Sequence, residues 1–246
     1  MRKIYLLPNL ITTANLVFGF SSITFAAQGD YVRASWLIIA AGICDLLDGR
    51  IARLARATSD FGVQYDSLSD LTSFGIAPAF LLYTHSLRQF PTLSIGIGLS
   101  ALFAVCAALR LARFNVSVEN PIKVRKGYFQ GLPSPPAAGM VVTAILFQDD
   151  THFFETYFFH WVLLAIGVLC GLLMVSSIPF PSFKEFRWRS KGGLPFLVLV
   201  LAVLIITLQQ PAKTFFPVGL LYLFGSVVWS AYICWRKPQD PNGLVQ

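Results

Sequence analysis

Apolar residues in this chain run in long blocks, with neither the two-residue alternation of a half-buried strand nor the polar stripe of a surface helix. The blocks fall at residues 10–27, 34–52, 62–83, 93–110, 137–147, 157–177, 194–208 and 215–235; the fifth is short and is expected to borrow from its flanks. A hydrocarbon core about 30 Å thick takes roughly 20 helical residues, so eight spans would use about 160 positions and leave only short connections. Only 13% of the residues are charged, against about 25% in soluble domains. These features exclude a soluble enzyme, and a membrane barrel would show short alternating segments instead. The expected fold class is therefore all-α: a polytopic integral membrane bundle of about eight helices, forming a single membrane domain over residues 1–246.

The net charge of +7 matters less than where the charges lie. With a cytoplasmic amino terminus, the odd-numbered connections bear only Arg33, Arg88 and Lys213, and sixteen of the nineteen basic residues share the other face. That is the positive-inside asymmetry. It predicts both termini in the cytoplasm of a cell bounded by this inner membrane, and it makes the basic excess a membrane marker, so no nucleic acid is expected as a partner. Arg2 and Lys3 ahead of an apolar stretch ending at Ala26 and Ala27 also fit a secretory signal. Pro8, Asn9, Thr12, Thr13 and Asn15 give that stretch a polar face which a signal core would not need.

Cys44, Cys106, Cys170 and Cys234 have no paired spacing and read as small buried residues. His85, His152 and His160 lie near non-cytoplasmic span ends and are expected to be solvated or interfacial. Gly167 and Gly171 form a small-xxx-small pair suited to close helix packing, within the chain as the simpler reading.

The acids carry the chemistry. Five of twelve lie between Asp45 and Asp70, where the second apolar block ends and the third begins. A carboxylate in a transmembrane helix costs about 2.5–3.5 kcal/mol on insertion scales, so such a group needs a compensating role. Asp45 and Asp48 are spaced i,i+3, and Asp66 and Asp70 i,i+4, so each pair shares a helix face and two adjacent helices can converge all four. Carboxylates that close repel unless they are protonated or neutralised, and an all-oxygen ligand set suits hard divalent cations, Mg²⁺ or Mn²⁺, two rather than one. Gly49, Ala52 and Gly62 would let a diphosphate approach the backbone, and Arg53 offers a planar fork for phosphate. Arg50 and Arg56 fit interfacial anchors, and Asp60 a cap for the third helix.

The spacing Asp45-x2-Asp48-Gly49-x2-Ala52-Arg53-x8-Gly62-x3-Asp66-x3-Asp70 resembles, at all eight fixed positions, the signature of the CDP-alcohol phosphatidyltransferase family. The resemblance implies displacement of CMP from a CDP-linked lipid by an alcohol, at a centre on the cytoplasmic face. It further implies that Asp45, Asp48, Asp66 and Asp70 hold two divalent cations, that Asp70 is also the general base, and that the enzyme is a homodimer. Asn9, Thr12 and Asn15, in a stretch similar to the entry of the family's first helix, fit either nucleotide contact or capping and interhelical hydrogen bonding. An ion-coupled transporter would also place carboxylates in a membrane, but it has no need of the diphosphate cradle.

The stretches 110–115, 129–139 and 178–184 resemble the phosphatidylserine synthase branch, which implies CDP-diacylglycerol and L-serine as substrates. The likeness spreads over residues 1–185, with the catalytic signature at 45–70; residues 186–246, with two further spans and a tail, carry no usable motif. The serine pocket is expected from Arg110, Arg113, Asn115, Gly131 and Ser134, with the arginines receiving the α-carboxylate and Pro133, Pro135 and Pro136 holding the chain extended. The alternative is that both arginines anchor the helix at the interface and the prolines start the fifth helix. Glycerol 3-phosphate or inositol phosphate would require a larger cationic pocket, and choline an aromatic cage.

Overall fold

The structure, a computed structural model, describes residues 6–54, 59–86, 93–119, 128–181 and 210–236. The seventh apolar block, 194–208, and the basic connection at 120–127 lie outside them. Helix α1 (Leu6–Ala27) turns at Gly29, whose φ of +83° a side chain would disfavour, into antiparallel α2 (Tyr31–Leu54). Ser22 ties the pair by donating to the Ala34 carbonyl at 2.8 Å. The third block is one continuous rod in three parts: α3 (Asp60–Asp70), a π-helical turn at Leu71–Ile76, and α4 (Ala77–His85). Ser59 caps it, its hydroxyl accepting from the Gly62 amide at 3.0 Å, while Asp60 falls in the first turn. Helices α5 (Leu93–Glu119), α6 (Ser134–Thr151), α7 (Thr156–Val175) and α8 (Pro211–Arg236) complete the described bundle.

Among the described residues, four helical stretches are long and apolar enough to cross a membrane: Pro8–Ala27, Ile95–Ser117, Thr156–Val175 and Pro211–Ser230. This is a helical membrane protein. Its outward surface is correspondingly apolar, with Phe20, Ile43, Leu172 and Leu221 all exposed. Between helices the core relies on small residues, Ala34, Ala41, Ala77, Ala107 and Ala138, around Phe74 and Phe103. Gly167 packs on Leu82 and Gly171 on Phe103 and Cys106, so this small-residue pair is used inside the chain.

Besides the cap of α3, which is Ser59 and not the expected Asp60, two details differ from the sequence expectations. The prolines do start the fifth helix: Pro133 is the extended N-cap residue and Pro135 sits in the first turn of α6, where a missing N–H costs nothing. That helix therefore gains residues at both ends of the short apolar block. His160 is 6% exposed, not interfacial; its Nδ1 and that of His85 both meet the Ser86 hydroxyl at 2.9 Å, while His85 lies edge-on to Tyr31 and Phe159. A serine hydroxyl holds one proton and two lone pairs, so at most one ring accepts from it and at least one donates.

Among the described residues the exception to helix is a ribbon of β1 (Tyr128–Gln130) antiparallel to β2 (Pro179–Pro181), with Phe129 opposite Phe180. It joins the approach to α6 with the exit from α7.

Candidate active site

The end of α2 and the start of the α3 rod lie beside the amino-terminal part of α1, and the signature acids meet there. Carboxylate oxygens of Asp45, Asp48 and Asp66 all lie within 4.8 Å of one another. Asp48 is 4% exposed and Asp70 8%, with Asp45 and Asp66 half-buried. At ~4 Å and an effective dielectric near 20, two like charges repel by about 4 kcal/mol. Three ionised carboxylates in mutual contact therefore require protons or cations.

Helix α1 supplies the local support. The Thr12 hydroxyl lies 2.8 Å from Asp48 Oδ2 and 3.1 Å from the Pro8 carbonyl, two acceptors for its one proton. Asn15 Nδ2 donates to Asp70 Oδ1 at 3.2 Å. The Ser69 hydroxyl donates to the Thr12 carbonyl at 3.0 Å and that of Ser73 to the Asn15 carbonyl at 2.9 Å, so α1 and the rod are locked on either side of Asp70. Gly19 permits this approach, because a Cβ there would overlap Ser73. The π turn directly follows Asp70; π turns recur at functional sites, where the widened helix resets the phase of the residues beyond. Thr12 and Asn15 thus act on the carboxylates, and Asn9 sits beside Gly62, its Oδ1 3.7 Å from where a glycine Cβ would be.

The donor set fits divalent cations. Asp66 Oδ1 and Asn15 Oδ1 are buried acceptors with no donor, an arrangement that costs about 1–3 kcal/mol per group unless a cation or ligand satisfies it. Gly49 has open space where a side chain would stand, which leaves room for a ligand against the backbone. Ala52 and Arg53 belong to the last turn of α2, and their side chains lie outside the described residues.

The expected acceptor pocket divides. Arg110 interacts electrostatically with Asp45 and Asp70 and donates from Nη1 to the Ser134 hydroxyl at 2.7 Å. Arg113, one turn further along α5, serves elsewhere: Nη1 donates to the Val175 carbonyl and Nη2 contacts the carbonyls of Gln130, Met174 and Ser176, all between 2.9 and 3.2 Å. It caps the carbonyl end of α7, as cations do at helix C-termini. Gly131, at φ +77°, packs directly against that guanidinium and gives its amide to the Ile178 carbonyl. Asn115 bonds Ser67 and Gln64 on α3. Arg113, Gly131 and Asn115 are therefore structural ties; of the five, Arg110 interacts with the acidic centre and Ser134 holds Arg110.

Two features of this site went unassigned in the sequence: the Ser69 and Ser73 bonds to α1, and the π turn. The first could have been suspected from serines at i and i+4 flanking Asp70; nothing in Leu71–Ile76 announces the second.

With this geometry in view, comparison with known sequences is decisive: the family described as CDP-alcohol phosphatidyltransferase matches residues 5–174. The chain belongs to that family. The match takes in all four aspartates, Arg110 and Ser134, and ends at the α7 terminus that Arg113 caps. Among its relatives, a Helicobacter pylori protein named CDP-diacylglycerol–serine O-phosphatidyltransferase is 39% identical over 229 residues, covering 93% of each chain. A Bacillus subtilis protein of the same name is 35% identical over 73% of this chain and 92% of its own. One from Methanocaldococcus jannaschii is 34% identical over 75% and 78%.

Proposed function

We propose that this chain transfers a phosphatidyl group from CDP-diacylglycerol to L-serine, forming phosphatidylserine and CMP in phospholipid biosynthesis. The observation that carries the reading is the convergence of Asp45, Asp48 and Asp66, with Asp70 interacting with Asp45 beside them and with acceptors on Asp66 and Asn15 that lack donors, in a member of this family whose relatives bear that activity in their names. Asp45, Asp48, Asp66 and Asp70 would hold two divalent cations, Mg²⁺ or Mn²⁺. When bound, the cations neutralise the donor diphosphate and the charge that develops on departing CMP.

The chain's own residues do the rest. Asn15 donates to Asp70 Oδ1 and so orients the carboxylate that would take the proton from the serine hydroxyl. The freed oxygen bonds the lipid-side phosphorus, that phosphorus releases its bond to the bridging oxygen, and CMP leaves with the bridging pair. Arg110, steadied by Ser134, receives the serine carboxylate. Gly49 and Gly62 admit the diphosphate, and Arg53 pairs with it. The donor cannot leave the bilayer and serine arrives from water, so the centre belongs at the cytoplasmic face of the inner membrane. An eight-span arrangement with both termini inside would put it there, as the distribution of basic residues supports, and the functional unit would be a homodimer.

Purified protein given CDP-diacylglycerol, Mn²⁺ or Mg²⁺ and a panel of alcohols should release CMP with serine. Release with glycerol 3-phosphate but not serine would keep the family chemistry and reject the acceptor. No release with any alcohol, together with ion flux in liposomes, would reject the enzyme.

A further inference from the structure

A cleft of about 700 Å³ opens between α2, α6 and α8. It falls within the range of ligand sites, roughly 300–1,000 Å³. Both hydroxyls on its wall are already engaged, Thr143 donating to the Gly139 carbonyl at 2.6 Å and Tyr222 bonding Ser226.

The cleft begins on residues that adjoin the reaction centre along the chain. Leu46, on its α2 wall, follows Asp45 in sequence, and Pro133, on its α6 wall, precedes the Ser134 that holds Arg110. From Pro133 the α6 wall continues to Thr143, about 15 Å along a helix axis. That is half of a hydrocarbon core of about 30 Å, the depth of one leaflet. One turn beyond Thr143, past the last α6 residue of the cleft, Phe147 meets Phe216 with ring centroids 5.4 Å apart. The third wall, Phe215 to Leu223 of α8, lies outside the stretch that matches the family.

We propose that this cleft seats one acyl chain of the CDP-linked donor, and that α8 is the element that makes it a slot instead of an open helix face. The inference rests on the phosphatidyl-transfer reading for the identity of the lipid. An occupant must be apolar, about one leaflet long and joined to a headgroup at the aspartates. A donor acyl chain meets all three conditions, whereas bulk lipid has no tie to the acidic end.

Gly139 gives a clean probe, because a Cβ there would meet nothing within 4 Å. Gly139→Leu should raise KM for dioleoyl CDP-diacylglycerol about tenfold, equivalent to expelling roughly two methylenes, while dioctanoyl CDP-diacylglycerol and serine change less than about threefold. Gly98→Leu, at an equally open position on α5, should change none of them. An equal effect of Gly139→Leu on long and short donors, or no effect on either, overturns the proposal while leaving the phosphatidyl transfer intact. Photolabelling decides the matter without turnover: CDP-diacylglycerol with a diazirine near the acyl terminus should label the peptide 211–236, and unlabelled dioleoyl CDP-diacylglycerol should suppress that labelling. Equal suppression by dioleoyl phosphatidylglycerol would make the occupant bulk lipid and overturn it. Absence of CMP release from the wild type, by contrast, would remove the enzymatic reading.

Discussion

Arg110 and Arg113 stand one turn apart on α5, yet they serve two regions built on opposite accounting. Around Arg113, the carbonyls of Gln130, Met174, Val175 and Ser176 take up its two terminal nitrogens, and Gly131 fills the space beside it. Around Arg110, a single guanidinium faces Asp45 and Asp70, with Asp48 and Asp66 behind them and two buried acceptors lacking donors. The first region is complete without a ligand and acts as a clasp. The second is electrostatically unfinished. Where buried polar groups find partners in the chain, they hold the fold; where they do not, they await something else.

The contrast is broken most sharply at Asp70. Asp70→Asn keeps the shape and the Asn15 contact but removes the proton acceptor, so kcat should fall by about 10²–10⁴. Thermal unfolding in detergent should stay within a few degrees of the wild type. Near-normal turnover would take the base role from Asp70.

Next in size is the clasp. Arg113→Ala leaves four carbonyls to find other donors, and should cost about 1.5–3 kcal/mol of stability, read as a lower unfolding temperature with little change in serine KM for the protein that remains folded. Gly131→Ala should act in the same way, since its Cβ would press on the Met174 carbonyl and Arg113 from a left-handed backbone. A raised serine KM with unaltered stability in Arg113→Ala would move that arginine into the chamber.

These cases show what the sequence could and could not disclose. The aspartate quartet was legible because four carboxylates in apolar blocks are costly and their spacing puts each pair on one helix face. The two arginines were not separable, because i,i+3 spacing predicts a shared face and says nothing about neighbours some sixty residues away in α7. Gly131 was read as a pocket residue for the same reason; its positive φ is a property of the turn between ribbon and helix. The polar face of α1 was visible, but assigning Thr12 to Asp48 and Asn15 to Asp70 required knowing that α1 lies against both α2 and the α3 rod. His160 was misplaced because an apolar block cannot reveal that Ser86, 74 residues earlier, waits inside to receive it.

Arg110 should show the complementary pattern to Arg113. Arg110→Ala should raise the serine KM about tenfold or more, as loss of a charge-assisted contact of roughly 1.5–3 kcal/mol implies, with a smaller effect on unfolding than Arg113→Ala. Arg110→Lys should restore part of the affinity, since it keeps the charge but loses the fork. Equal KM values in wild type and both variants would leave Arg110 as a counter-charge to Asp45 and Asp70 alone.

The smallest effect tests how far the chamber depends on α1. Thr12→Val keeps the side-chain shape and replaces with a methyl the hydroxyl whose proton is shared between Asp48 Oδ2 and the Pro8 carbonyl. A neutral donor of this kind is worth about 1 kcal/mol, so the concentration of Mn²⁺ giving half-maximal activity should shift by roughly five-fold, with kcat at saturating metal nearly unchanged. The direction is informative. If Thr12 orients Asp48 for the cation, its loss raises the Mn²⁺ requirement. If it chiefly offsets the negative charge of Asp48, its loss strengthens the pull on the cation and the requirement falls. Titration of Mn²⁺ by its paramagnetic resonance signal, carried out without substrate, separates the two and applies equally to a protein that does not turn over.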